Sequence, residues 1–169
     1  LWIASAMFAE LTEDRLLAYV WLRPIPRWHL AVAAAAATLT VVGPLVVIPT
    51  TAAAAVAAAP DLIGSAALSS FLAVLGYSGL FLWAGSRSTR ALWWGLLYIL
   101  VWENGLARLD DGIARLAVRS YPESLLARAT NVDLRLDGRA AWAIAVVPPA
   151  LFALGTWLTS RRLDRHDVD

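Results

Sequence analysis

The sequence predicts an all-α, polytopic integral membrane protein, a helical bundle with further helices lying outside the bilayer. Two observations predict it. Hydrophobic residues make up 60% of the chain and the mean hydropathy is +0.63, well above the roughly 45–50% apolar content of soluble domains. The apolar residues are also grouped into runs long enough to cross a hydrocarbon core of about 30 Å, which needs about 20 helical residues.

Four spans are expected. Residues 30–59 carry no charge and would extend about 45 Å as a helix, so a break is expected at Gly43, Pro44 and Pro49, where proline removes a backbone donor. A second span covers residues 62–84, with Ser65, Ser69, Ala73 and Gly76 forming a stripe of small residues suited to close helix packing. The third, residues 91–106, is unusual: apolar sequence ends at Trp102, and Glu103 arrives before a polar boundary is due. The fourth covers residues 140–159, with a kink expected at Pro148 and Pro149, and a tail at residues 160–169.

The connections set the expected orientation. The short loop "GSRSTR" at residues 85–90 contains two arginines and no acid, which places it in the cytoplasm by the positive-inside rule. The opening segment and the tail then share that side, with eight arginines against six between the third and fourth spans. Residues 107–139 form the external segment. In it Leu106, Leu109, Ile113 and Leu116 mark an amphipathic helix, and "NVDLRLDG" alternates as a short extended stretch ending in a turn. Residues 1–9 resemble the end of a span that begins upstream.

Between that run and the next span lies "LTEDRLLAYVWLRPIPRW". Thr12 is suited to cap a helix, Glu13 and Asp14 favour its positive end, and Leu16, Leu17, Val20 and Trp21 give it an apolar face before Pro24 and Pro26. Arg27, Trp28 and His29 anchor the following span at the interface. From these residues alone, the segment at 10–29 is either an amphipathic connector on lipid or a docking helix for a cytosolic partner.

This stretch resembles the coupling segment of type-2 ABC exporter permeases, at Glu13, Asp14, Leu17, Tyr19, Trp21, Leu22, Arg23, Pro24, Arg27 and Trp28. "YSGLFLWAGS" at residues 77–86, "LLYILVWENGL" at 96–106 and "RSYPES" at 119–124 extend the likeness in order and spacing. Arg15 and Leu16 depart from it, standing where many relatives carry Gly-Thr. The resemblance implies a multi-pass protein of the plasma membrane of a bacterial cell, lacking the first family span and most of the second. It implies a transport subunit that pairs with a second permease copy and couples to a cytosolic ATPase through Glu13, Asp14, Leu17, Tyr19, Val20, Trp21, Leu22, Arg23, Pro24 and Arg27. ATP and Mg would be held by that partner.

Other chemistry is poorly provided for. All fourteen basic residues are arginine, so the P-loop lysine is missing and no cofactor site is expected in this chain. Cysteine is absent, and the only histidines, His29 and His166, stand at opposite ends of the sequence, so neither metal nor catalytic residues are expected. With a formal charge of +1 there is no nucleic-acid footprint. The expected partners are the bilayer, the ATPase and a second permease. Glu103 is the strongest isolated signal, because an ionisable group at membrane depth is costly and faces a partner or a wet path. With Tyr77 and Tyr98 it forms the candidate path or gate; capping an external helix, or pairing with Arg108, is the structural alternative. A non-transporting membrane anchor or scaffold is the alternative function, and an ion-coupled carrier built on Glu103 a third.

Overall fold

The computed structural model describes residues 28–57, 60–88, 90–103, 105, 117–130 and 139–165. The described residues are helical, and three helices are long and apolar enough to cross a membrane. They are α1 (Trp28–Val56), α2 (Ile63–Arg87, preceded by a 3₁₀ turn at Pro60–Leu62) and α5 (Ala141–Arg165). Between α2 and α5 lie α3 (Ala91–Leu97), which continues as a π-helical stretch at Tyr98–Glu103, and α4 (Ser120–Thr130). The coupling segment up to Arg27, the apolar repeat at 106–116, Arg108 with it, and the alternating stretch at 131–138 lie outside the described residues.

α1 corrects the expected break: Pro44 and Pro49 both lie inside one continuous helix of 29 residues. Each proline deletes a single N–H, and hydroxyl side chains reinforce the neighbouring ladder. Thr50 Oγ1 donates to the carbonyls of Val46 and Val47, at 3.0 and 2.9 Å, and Thr51 Oγ1 to those of Val47 and Ile48, at 2.8 and 2.9 Å. Serine and threonine are among the groups that make proline tolerable in a membrane helix. α5 likewise runs unbroken through Pro148 and Pro149 and carries on to Arg165, so residues 160–165 are helix rather than tail.

α2 is the central helix. Ala31 and Ala35 of α1 cluster with Leu82 of α2 and Leu163 of α5, while Leu72 clusters with Tyr121 and Ile144. α1 and α2 are thus antiparallel, and α5 runs parallel to α2. The start of α1 and the ends of α2 and α5 share one end of the bundle. Arg87, Arg90, Arg161, Arg162 and Arg165 all belong to that end. Residues around α2 and α5 that face outward are large and apolar, including Leu68, Phe71, Val146 and Leu154. Such a belt suits lipid rather than water.

Glycine sets how closely α2 and α5 approach. A Cβ on Gly79 would lie 2.5 Å from both Leu151 O and Phe152 Cα, and one on Gly155 would collide with the Gly79 backbone. Gly76, from the small-residue stripe, opens a notch: a Cβ there would meet Val118 Cγ1 at 2.6 Å and Pro148 Cβ at 3.8 Å. Of that stripe Ser69 and Gly76 are buried, and Ser65 and Ala73 partly so. The tightest contact, Gly79 on Gly155, belongs to a different pair of residues.

The third span is described over residues 91–103 and at 105. α3 and its π extension form the described part of the crossing, shorter than the other three spans. Gly95 packs against Phe81 and Glu103 reaches Tyr77, so this element climbs antiparallel to α2 and reaches Glu103 near the middle of α2. α4 takes over there. Val118 lies by Gly76, Tyr121 by Leu72, and α4 also contacts the Pro60–Leu62 turn. Ser120–Thr130 therefore packs along the half of α2 that the described third span does not cover. Its buried Tyr121, Pro122, Ser124 and Ala127 supply the packing face, and Pro122 in the first turn starts this helix, a position where proline costs no hydrogen bond.

Two predictions follow from this packing. Gly155→Leu should force α2 and α5 apart and lower stability by about 1–3 kcal/mol, whereas Gly64→Ala, at a site with nothing within 4 Å, should be neutral or slightly stabilising. Thermal unfolding in detergent compares them. Single cysteines at Ser88 and Ala140 should be labelled from opposite sides of the membrane by an impermeant reagent; labelling from one side would break the proposed crossing order.

Candidate functional site at Glu103

Glu103 is only 4% exposed, and the chain brings its three partners from separate elements. Tyr77, midway along α2, donates its hydroxyl to Glu103 Oε2. The backbone N–H of Arg119 donates to Oε1 at 3.3 Å. Tyr98 interacts with the same carboxyl and with the Val118 backbone. Both carboxyl oxygens therefore accept at least one bond, as a buried acceptor requires.

The π-helical stretch accounts for one of these contacts. Tyr98 and Glu103 are five residues apart, and an i→i+5 register stacks them on one face, where an α-helix would point them away from each other. The same turn buries the Trp102 indole N–H, which has no partner among the described residues. Tyr77 in turn stacks on Phe81, with ring centroids 6.1 Å apart and planes 9° from parallel. Phe81 fills the space left by Gly95, fixing α3 against α2 one turn below the carboxyl.

α4 contributes its N-terminal end. Arg119 immediately precedes Ser120, so the carboxyl of Glu103 accepts from the N–H at the N-terminal boundary of the helix, where the macrodipole favours an acceptor. The helix that Glu103 was expected to cap, and Arg108, lie outside the described residues. The Arg119 guanidinium pairs with Glu123 one turn later. That pair is 43% and 46% exposed, so its contribution to stability is about 0–1 kcal/mol.

Behind α4, polar groups tie it to the start of α5. Arg139 is 8% exposed; its N–H donates to Ser124 Oγ at 3.1 Å and its Nε to Ser120 Oγ at 3.4 Å. Arg128 donates to the Arg139 carbonyl. In sequence terms these contacts were invisible, because Ser120, Ser124 and Arg139 show no periodicity that pairs them.

Of the residues singled out from sequence, Glu103, Tyr77 and Tyr98 meet at one place. Trp28 and His29 begin α1, their rings 3.9 Å apart. Glu13, Asp14, Leu17, Tyr19, Val20, Trp21, Leu22, Arg23, Pro24 and Arg27 lie outside the described residues. Among the described residues no group of three His, Cys, Asp or Glu side chains could hold a metal ion. No protein-family model, curated protein or solved structure matches this chain.

Proposed function

We propose that this chain is the membrane-spanning subunit of an exporter driven by ATP hydrolysis on a separate subunit. The observation that carries the reading is the π-helical stretch of the third crossing, whose Glu103 joins α2 and the start of α4. Irregular backbone and an ionisable side chain at membrane depth are tolerated where protein or a water-filled cavity surrounds them, and such irregularities accompany transport sites. Support also comes from the likeness of residues 10–29 to a coupling segment.

On this reading the arginine-rich end is cytosolic, and the ATPase engages residues 10–29 beside the start of α1. Closure of the ATPases pushes on that segment. The continuous α1 passes the push along a length of about 43 Å, and α2, packed on α1, moves relative to α3 and α4. The bonds at Glu103 would be the ones that such a displacement makes and breaks. A second permease copy would complete the path.

Two experiments test this. Glu103→Gln presents an amide donor to groups that are themselves donors, a mismatch of about 1–3 kcal/mol. The variant should insert and assemble, with ATP-dependent transport or its coupling to ATPase activity changed by about tenfold; unaltered transport would leave Glu103 as a structural cap. Reversing Glu13 and Asp14 to Arg should abolish copurification of the ATPase and transport while insertion persists, because a protein dock loses affinity when charges are mismatched. Retained ATPase and transport would make the segment a lipid-surface connector. A chain that holds partners without any ATP-dependent flux would be the membrane scaffold instead.

A further inference from the structure

At the arginine-rich end, α1 and α5 diverge and leave an apolar groove of about 500 Å³ between them. Trp28, Val32 and Leu39 line one wall and Phe152, Ala153 and Trp157 the other. Thr156 also lines it, but its hydroxyl is turned to the Phe152 carbonyl at 2.9 Å, so the interior has little to offer a polar occupant. The mouth is different. The Arg161 guanidinium lies over the Trp157 ring, 3.9 Å from its centroid.

We propose that this groove binds one acyl chain of an anionic phospholipid, with the headgroup phosphate held by Arg161. Three features converge on that occupant. The groove is apolar along its length and charged only at its rim, which matches an acyl chain ending in a phosphate. A guanidinium placed over an indole face can still direct N–H groups to phosphate oxygens in bidentate contact. The rim lies level with Trp28 and Trp157, half-exposed indoles of the kind that mark the headgroup region. Charge complementarity favours an anionic lipid over a neutral one. Residues 85–90 and 160–165 carry five arginines against one acid, Asp164, and each arginine near an anionic membrane surface contributes about 1 kcal/mol.

The site requires only that the chain spans a membrane, so its test is separate from any transport assay. The full chain, purified in detergent and stripped of lipid, is mixed with equal amounts of phosphatidylglycerol and phosphatidylcholine and analysed by native mass spectrometry. The expected result is retention of phosphatidylglycerol over phosphatidylcholine by about fivefold, the factor for one arginine. Arg161→Gln should remove the preference and leave acyl retention, while Ala153→Trp, which fills the groove, should reduce retention of both lipids. If Ala153→Trp does not fold, Ala36→Leu on the facing wall serves the same purpose. Equal retention of the two lipids by the unaltered chain would overturn the proposal, as would a preference that survives Arg161→Gln. Inorganic phosphate binding with the same Arg161 dependence but without lipid retention would overturn it as well. So would a groove-filling variant that changes the oligomeric state and not lipid retention, since a second copy would then occupy the groove.

Discussion

The carboxyl of Glu103 is the tie on which the rest of the bundle depends. A polar group buried in lipid must find partners within the protein, and here the carboxyl at the end of the described π stretch meets the start of α4 on the middle of α2. It takes the N–H of Arg119 and the hydroxyl of Tyr77, so three separate elements are joined at one buried group.

The glycines and prolines of α2 and α5 make the tie geometrically possible. Gly79 against Gly155 brings the two long helices close together, and Gly76 leaves room for both Val118 and Pro148. Val118 can then reach the middle of α2, which carries Arg119 to Glu103. A larger residue at Gly76 would meet Val118 first, so the packing notch and the polar contact form one unit. Buried hydroxyls elsewhere follow the same economy: Thr38, Ser70 and Thr159 each donate to a carbonyl four residues earlier, so these donors are met within their own helices.

Much of this was legible in the sequence. Apolar run length gave α1, α2 and α5 to within a few residues, and Glu103, Tyr77 and Tyr98 stood out as polar groups in apolar surroundings. Proline was the main source of error. Pro44 and Pro49 signal a helix break by rules drawn from water, but α1 runs continuously through both. Pro122, by contrast, stands in the first turn of α4, where proline is harmless. The π register at Tyr98–Glu103 and the contact of Gly79 with Gly155 could not be read at all. Both depend on which face of one helix meets another, and a nearly uniform apolar sequence carries little record of that.

A double-mutant cycle on Tyr77→Phe and Glu103→Gln, measured by thermal unfolding of the reconstituted protein, tests the tie most directly. Residues sharing a buried hydrogen bond should give an interaction energy of about 0.5–3 kcal/mol, with the double variant losing less stability than the two single losses combined. Additive losses, within about 0.5 kcal/mol, would mean that Tyr77 and Glu103 act independently and that something other than this carboxyl joins α4 to α2.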